Sequence, residues 1–311
     1  MQELWSSASY EPHLLSLLFA FAPAAMLVVI TYALVMRGEP VLRAWMLLHF
    51  VTMMPLFVTI TLAPSIVSAE AATALFRIAA ACIPLSAVAG GAFQFSLVGK
   101  HKQTRWFTRA FLVIAVLWLI FGSTTDIICK GVYEIPAGMW FGTAGPYAGL
   151  ALACVVASTL PSYVALVNAA LRGKPSVERR QLRIVLVANL FTYAAIPADG
   201  GLAYGIGVFP MSWLLAGIGS VLVARALVVE DLLRARAVDT TAPQLVMHLA
   251  MAILLGWVSL ELLPEGTAWW LVTIVLAISF ASVRVMIATI GLINRGARER
   301  EGTLERLLGQ L

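Results

Sequence analysis

The stretch Val177–Leu215, "VERRQLRIVLVANLFTYAAIPADGGLAYGIGVFPMSWLL", decides the fold. Arg179, Arg180 and Arg183 precede an apolar run, an Asp199-Gly-Gly break follows, and Phe209-Pro210 introduces a second apolar run. The hydrocarbon core of a bilayer is about 30 Å thick, and a helix rising about 1.5 Å per residue crosses it in about 20 residues. Runs of that length, continuously apolar and without the alternation of barrel strands, predict membrane-spanning helices.

The pattern recurs along the chain. About nine candidate spans lie near residues 13–36, 42–63, 71–98, 107–128, 147–171, 182–203, 208–229, 244–262 and 268–293. The 311 residues are 61% hydrophobic and 12% charged, with a mean hydropathy of +0.91, outside the balance of a water-soluble domain. The expected fold class is therefore an all-α polytopic membrane protein.

Lysine and arginine set its orientation. Connections on one side carry Arg37, Arg43, Lys100, Lys102, Arg105, Arg109, Arg172 and Lys174, the three arginines of the quoted stretch, and Arg234 and Arg236. The tail adds Arg295, Arg298, Arg300 and Arg306, whereas the opposite side has Lys130 alone. The positive-inside rule then predicts an N-terminus outside and a C-terminus in the cytoplasm, in a bacterial inner membrane. The net charge of +5 reports this topology, and no nucleic-acid partner is expected. The start, "MQELWSSASYEPH", has no basic region ahead of the first apolar run, so no removable signal peptide is expected.

Connections are short, which leaves no room for a folded extracellular domain. The longest outer one, "CKGVYEIPAGMWFGTAGP" from Cys129 to Pro146, reads as a loop rich in Gly, Pro and aromatic residues. Tyr133 and Trp140 within it suit either an interfacial aromatic belt or a lid over a ligand. Pro55, Pro84 and Pro161 fall within spans and are able to kink them. Beyond the ninth span, Leu304, Leu307, Leu308 and Leu311 share one helical face, as in the start of a cytoplasmic stalk or a surface-lying helix.

Ionisable residues inside spans are costly and are the first candidates for function. Arg77 lies about two turns into the third span from the outer side, and Asp126, Asp199, Glu70 and Glu261 are its candidate acidic partners. Together with Tyr133 and Trp140, Arg77, Asp126, Asp199 and Glu261 make a candidate polar or ligand pocket, although Asp199 in "DGG" also reads as an ordinary turn residue. Arg77 equally suits a structural ion pair or a snorkel to the outer interface. Arg225 and Arg284 suit snorkelling to the inner headgroups. His49 and His248 read as hydrogen-bonded packing residues unless their helices face each other. Cys82, Cys129 and Cys154 have no metal-ligand or CxxC spacing and read as packing residues. No catalytic motif is present, so neither enzymatic activity nor a metal or cofactor is expected.

Several segments, in order, resemble the N-terminal seven-transmembrane region of bacterial sensor histidine kinases. The likeness runs from about Leu14 to Leu233 through "RGEPVLRAWMLLHF", "FRIAAACIPLSAVAGGAFQFSLVGK", "AGPYAGLAL", "RGKPSVERRQLRIVLVA", "YGIGVFPMSWLL" and "ARALVVEDLLRAR". It implies a sensor in which Arg179, Arg180, Arg183, Pro210, Arg225 and Arg284 couple a stimulus to the cytoplasm. Arg179, Arg180 and Arg183 would clamp span six to the headgroups, and Pro210 would fix the start of span seven without losing a helical hydrogen bond. The family has basic residues where this chain has Glu230 and Asp231, and the family's kinase, phosphatase or cyclase output domains are not within these 311 residues.

The expected organisation is a seven-transmembrane sensor-like region over residues 1–235, two further transmembrane helices over 236–294, and a cytoplasmic amphipathic stalk from 295 to 311. The expected function is a non-catalytic receptor for a small or lipophilic ligand, or for another membrane protein, on the outer side, relaying to a cytoplasmic signalling protein, with a homodimer as one arrangement. A scaffold subunit of a larger membrane complex is the alternative, and a transporter or channel, using Gly90-Gly91 to break a helix, a third.

Overall fold

The computed structural model describes residues 11, 13–35, 39–136, 138–172, 177–206 and 209–229. Glu261, Arg284, His248, the last two expected spans and the C-terminal stalk lie outside the described residues. The described chain is mostly helical: α1 (Leu14–Phe19), α2 (Phe21–Val35), α3 (Pro40–Leu62), α4 (Ala69–Leu97), α5 (Arg105–Thr124), α6 (Ala148–Arg172), α7 (Val177–Ala203) and α8 (Ser212–Val229). Six helical stretches are long and apolar enough to cross a membrane, with α1 and α2 together forming the first, and α8 supplies a shorter apolar helix. These helices suggest a membrane-embedded protein.

Local chemistry sets the boundaries. Pro40 opens α3, where a missing N–H leaves no helical bond unmade. Ser68 caps α4 by accepting a hydrogen bond from Ala71 N at 3.3 Å. Pro55, Pro84 and Pro161 lie inside α3, α4 and α6, each of which runs as one helix past its proline. Gly90-Gly91 does not break α4 either, because both glycines sit where neighbouring helices come closest. A Cβ on Gly91 would stand 2.9 Å from the Ser158 carbonyl of α6, and one on Gly90 would stand 3.0 Å from His49 Nδ1 of α3.

Six helical units close into a ring. α2 packs on α3, α3 on α4, α4 on α6, α6 on α7, α7 on α8, and α8 returns to α2. α5 stands outside the ring against α4, through a seam of small residues, Thr108, Ala115 and Gly122, spaced seven apart. Its outer face leaves Trp106, Val113 and Ile120 more than half exposed. Such a face is a liability in water and an ordinary surface in lipid.

The expected outer loop is a β-hairpin, which corrects the all-α reading. Strands β1 (Cys129–Ile135) and β2 (Met139–Ala144) pair antiparallel, with Tyr133 opposite Phe141 and Glu134 opposite Trp140. Gly138, at φ +73°, allows the reversal next to Pro136, and its N–H donates to the Ile135 carbonyl at 2.9 Å. A two-stranded hairpin is marginal alone, and its open edges have no place in hydrocarbon. It therefore needs the helix ends as a platform.

Candidate functional site: a cavity beneath the hairpin

Three side chains fasten the hairpin to the ring. Arg77 of α4 donates from Nε to the Cys129 carbonyl at 3.1 Å and from its guanidinium tip to the Lys130 carbonyl at 3.3 Å. Trp140 Nε1 donates to the Ile66 carbonyl at 2.9 Å, between α3 and α4. Tyr133 donates its hydroxyl proton to the Leu202 carbonyl near the end of α7 at 2.5 Å. Phe141 of β2 also packs on Phe76 of α4, with ring centroids 5.4 Å apart. Cys129 is buried, and burial pushes its thiol above the usual range, as expected of an inert packing residue.

Against this hairpin, among α3, α4, α6 and α7, lies a partly open cavity of about 260 Å³ with an overwhelmingly apolar lining. α3, α4, α6 and α7 wall it, with Met53, Leu56, Ile83 and Val155 among the wall residues, while Phe76 of α4 and Phe141 of β2 line its hairpin side. Away from the hairpin, Gln94, Asn189 and Tyr193 add polar groups to the lining. Gln94 Nε2 donates to the Tyr193 hydroxyl at 2.9 Å, and Gln94 Oε1 accepts from Ser162 at 2.9 Å. His49 Nδ1 of α3 lies 2.9 Å from the Ser86 carbonyl and 3.0 Å from Ser86 Oγ of α4, a contact that ties the two helices together. Asn189 stands one turn before Tyr193 on the same face of α7, and its Nδ2 is buried without a partner. An amide donor buried in this way costs about 1–3 kcal/mol.

Asp199 lines the same cavity from α7. It is a helical residue, which corrects its reading as a turn. Its Oδ1 accepts from Met211 N at 2.9 Å and Ser212 N at 3.1 Å, and its Oδ2 accepts from the Ser212 hydroxyl. The first N–H groups of a helix have no partner within it, and the helix dipole favours an anion there, so a carboxylate from α7 caps α8.

Of the expected pocket residues that are described, Asp199 alone lines the cavity. Arg77, Tyr133 and Trp140 hold the roof in place and make their hydrogen bonds to backbone carbonyls. Asp126 is exposed in the segment between α5 and β1. Among the expected coupling residues, Arg179 and Arg183 are turned to protein. Arg179 donates to the Ala170 and Leu171 carbonyls at 3.1 and 2.6 Å, and Arg183 to the Ala170 carbonyl at 3.3 Å. They satisfy the free carbonyls at the end of α6, where cations are favoured, and join α6 to α7. Arg180 is exposed beside them. Pro210 is buried ahead of the first turn of α8, where the neighbouring Phe209 packs on Phe19 with centroids 5.6 Å apart. Arg225 is exposed near the far end of α8.

Gln94, Asn189 and Tyr193 are not among the expected site residues. Isolated amides in apolar runs, "AFQFS" and "VANLF", are the signal that the sequence offers for two of them. Comparison with protein-family models, curated proteins and solved structures finds no match to this chain.

Proposed function

We propose that this protein is a membrane receptor in which a lipophilic ligand in the cavity acts on α8. The observation that carries this reading is that the cavity lining and the α7–α8 contact share residues. Asp199 lines the cavity and caps α8, and the capped Ser212 lines the cavity as well. Deeper, Thr192 lines the cavity while its Oγ1 lies 2.8 Å from where a Cβ on Gly219 of α8 would be. A ligand that displaces α7 thus acts on α8 at two heights, and packed helices respond by shifts of about 1–2 Å.

In this reading the nine spans sit in a bacterial inner membrane with the N-terminus and hairpin outside. Displacement of α8 passes through residues 236–294 to a cytoplasmic signalling partner. The likeness to the histidine-kinase sensor region and the basic connections opposite the hairpin support that orientation. Arg77, Tyr133 and Trp140 hold a roof over the ligand, in keeping with the lid reading of the outer segment. The scaffold alternative has no comparable internal feature in its favour.

Filling the cavity tests the proposal. Ala151, buried in α6, lines it. Native mass spectrometry of the wild type, taken from its own membrane into polymer nanodiscs, is expected to show a bound lipophile that Ala151→Phe loses. A wild type carrying no such adduct, or a variant that keeps it, contradicts the proposal.

A further inference from the structure

Resting on the receptor reading above, we infer that the gap between the hairpin-side halves of α6 and α7 is a lateral portal, through which an uncharged lipophile dissolved in the bilayer enters the cavity. Three observations lead there.

The first is where the cavity opens. Of the described residues that line it, two are exposed: Leu152 of α6, 44% exposed, and Tyr204, 58% exposed, which directly follows α7. The other lining residues are buried or half-buried. Leu152 stands about one turn into α6 from its hairpin end, and Tyr204 at the hairpin end of α7, so the two mark the same end of the bundle. Far from the hairpin, Arg179 and Arg183 hold the antiparallel pair together through the Ala170 and Leu171 carbonyls. At mid-depth Tyr163 of α6 meets Tyr193 of α7 edge-on, with ring centroids 5.3 Å apart. Nearer the hairpin both helices line the cavity, with Ala148 and Ala151 from α6 and Gly200 and Ala203 from α7.

The second is what surrounds the opening. Tyr133 fastens the hairpin to the Leu202 carbonyl of α7, and β2 leads directly into α6, so the hairpin bridges the two helix ends. The way left open is the flank. There Leu152, Val156, Leu160 and Val164 follow one another at four-residue spacing down α6, and they are 44%, 49%, 54% and 48% exposed. Such a stripe belongs against acyl chains, and Tyr204 suits the boundary between chains and headgroups.

The third is what the interior accepts. Its lining has no lysine or arginine, and its one acidic residue, Asp199, already accepts hydrogen bonds from Met211 and Ser212. A carboxylate or phosphate head would enter a low-dielectric space with no counter-charge, which disfavours it strongly. An uncharged lipophile is concentrated in the bilayer and meets no such cost. It passes Gly200 and Ala203 beside Asp199, so loading presses on the part of α7 that caps α8.

The test is timed photolabelling of the full chain in lipid nanodiscs, with Cys82, Cys129 and Cys154 replaced and Leu152→Cys carrying a benzyl group through a mixed disulfide. A diazirine-alkyne alkane is supplied from donor vesicles, and its adducts are assigned to residues by mass spectrometry. Adducts at the exposed Leu160 and Val164 time its arrival in the bilayer. Adducts at the buried, cavity-lining Ala151 and Val155 time its entry, and undecane or undecan-2-one is expected to compete for them. The benzyl group is expected to delay entry about tenfold or more relative to arrival, because overpacking a passage raises the barrier that sets the rate. Reduction of the disulfide is expected to restore the rate in the same protein. The same group on Val156→Cys, on the exposed stripe but outside the lining, is expected to cause no delay. A bimane on Leu152→Cys is expected to be quenched more by chain-brominated lipids than by aqueous iodide.

Entry that keeps pace with arrival while the benzyl group is in place overturns the portal and leaves the receptor reading standing. A delay that reduction does not reverse, an equal delay from Val156→Cys, or stronger quenching by iodide overturns it in the same way. Absence of competable adducts at Ala151 and Val155 in the unmodified protein overturns both.

Discussion

Asp199→Ala is expected to destabilise the protein by about 2–3 kcal/mol, the larger of the effects at the cavity rim. The change removes the acceptor for two backbone N–H groups and one hydroxyl at the start of α8. Loss of a cap costs about 0.5–2 kcal/mol, and leaving part-buried donors unmet adds to it. Asp199→Asn keeps an acceptor oxygen and is expected to lose about half as much. The check is thermal unfolding in detergent, followed by hydrogen exchange to localise the opening. Protection is expected to fall first over residues 209–216, at the start of α8. An unchanged melting temperature would mean that solvent or another group satisfies these donors and that Asp199 does not hold α8.

Gly91→Leu is expected to cost about 3 kcal/mol or more and to abolish binding in the cavity. At this position even a Cβ would stand 2.9 Å from a backbone carbonyl of α6, and only 3.2 Å from Ser162 Oγ. A carbonyl cannot rotate away as a side chain does, so α4 and α6 must separate, and overpacking a close helix crossing usually costs about 1–3 kcal/mol. The separation also pulls Ser162 away from Gln94, whose amide is positioned by that hydrogen bond at 2.9 Å. Gly91→Ala is the milder form, expected to lower stability while leaving some binding. Both are read by melting temperature and by photolabelling of α4 and α6. A Gly91→Leu protein as stable as wild type would contradict the packing described for α4.

Much of this architecture is legible in the amino-acid sequence. Among the described residues, the long apolar runs become helices with boundaries close to those expected: residues 71–98 as Ala69–Leu97, and 147–171 as Ala148–Arg172. Length and apolarity alone produce that agreement, because in lipid a backbone has few alternatives to a helix. The hairpin is hidden because β1 and β2 have seven and six residues, and their Gly, Pro and aromatic content reads as loop. What makes them strands is docking by Arg77, Trp140 and Tyr133, two of whose acceptors come from distant segments.

The site is less legible for a related reason. Giving ionisable residues priority singles out Arg77 and Asp126, yet the former holds the hairpin and the latter is exposed. The polar end of the cavity is built from uncharged groups. Gln94 and Tyr193, 99 residues apart in the chain, acquire meaning only when α4 meets α7. Asp199 stands out in the sequence but reads there as a turn residue. Its two glycine neighbours signal a turn locally, whereas the free N–H groups of α8 draw its carboxylate into a helix-to-helix bond.

The central claim is that occupancy of the cavity moves α8. Its most direct test is the distance between nitroxides at Lys102→Cys, in the α4–α5 connection, and Val221→Cys, on the exposed face of α8, measured by double electron–electron resonance. Cys82, Cys129 and Cys154 would be replaced, and the full chain held in nanodiscs with and without saturating undecan-2-one or undecane. The account predicts a change of about 1–2 Å or more in the mean distance when either probe fills the cavity. Coincident distance distributions, with photolabelling showing the cavity occupied, would contradict it.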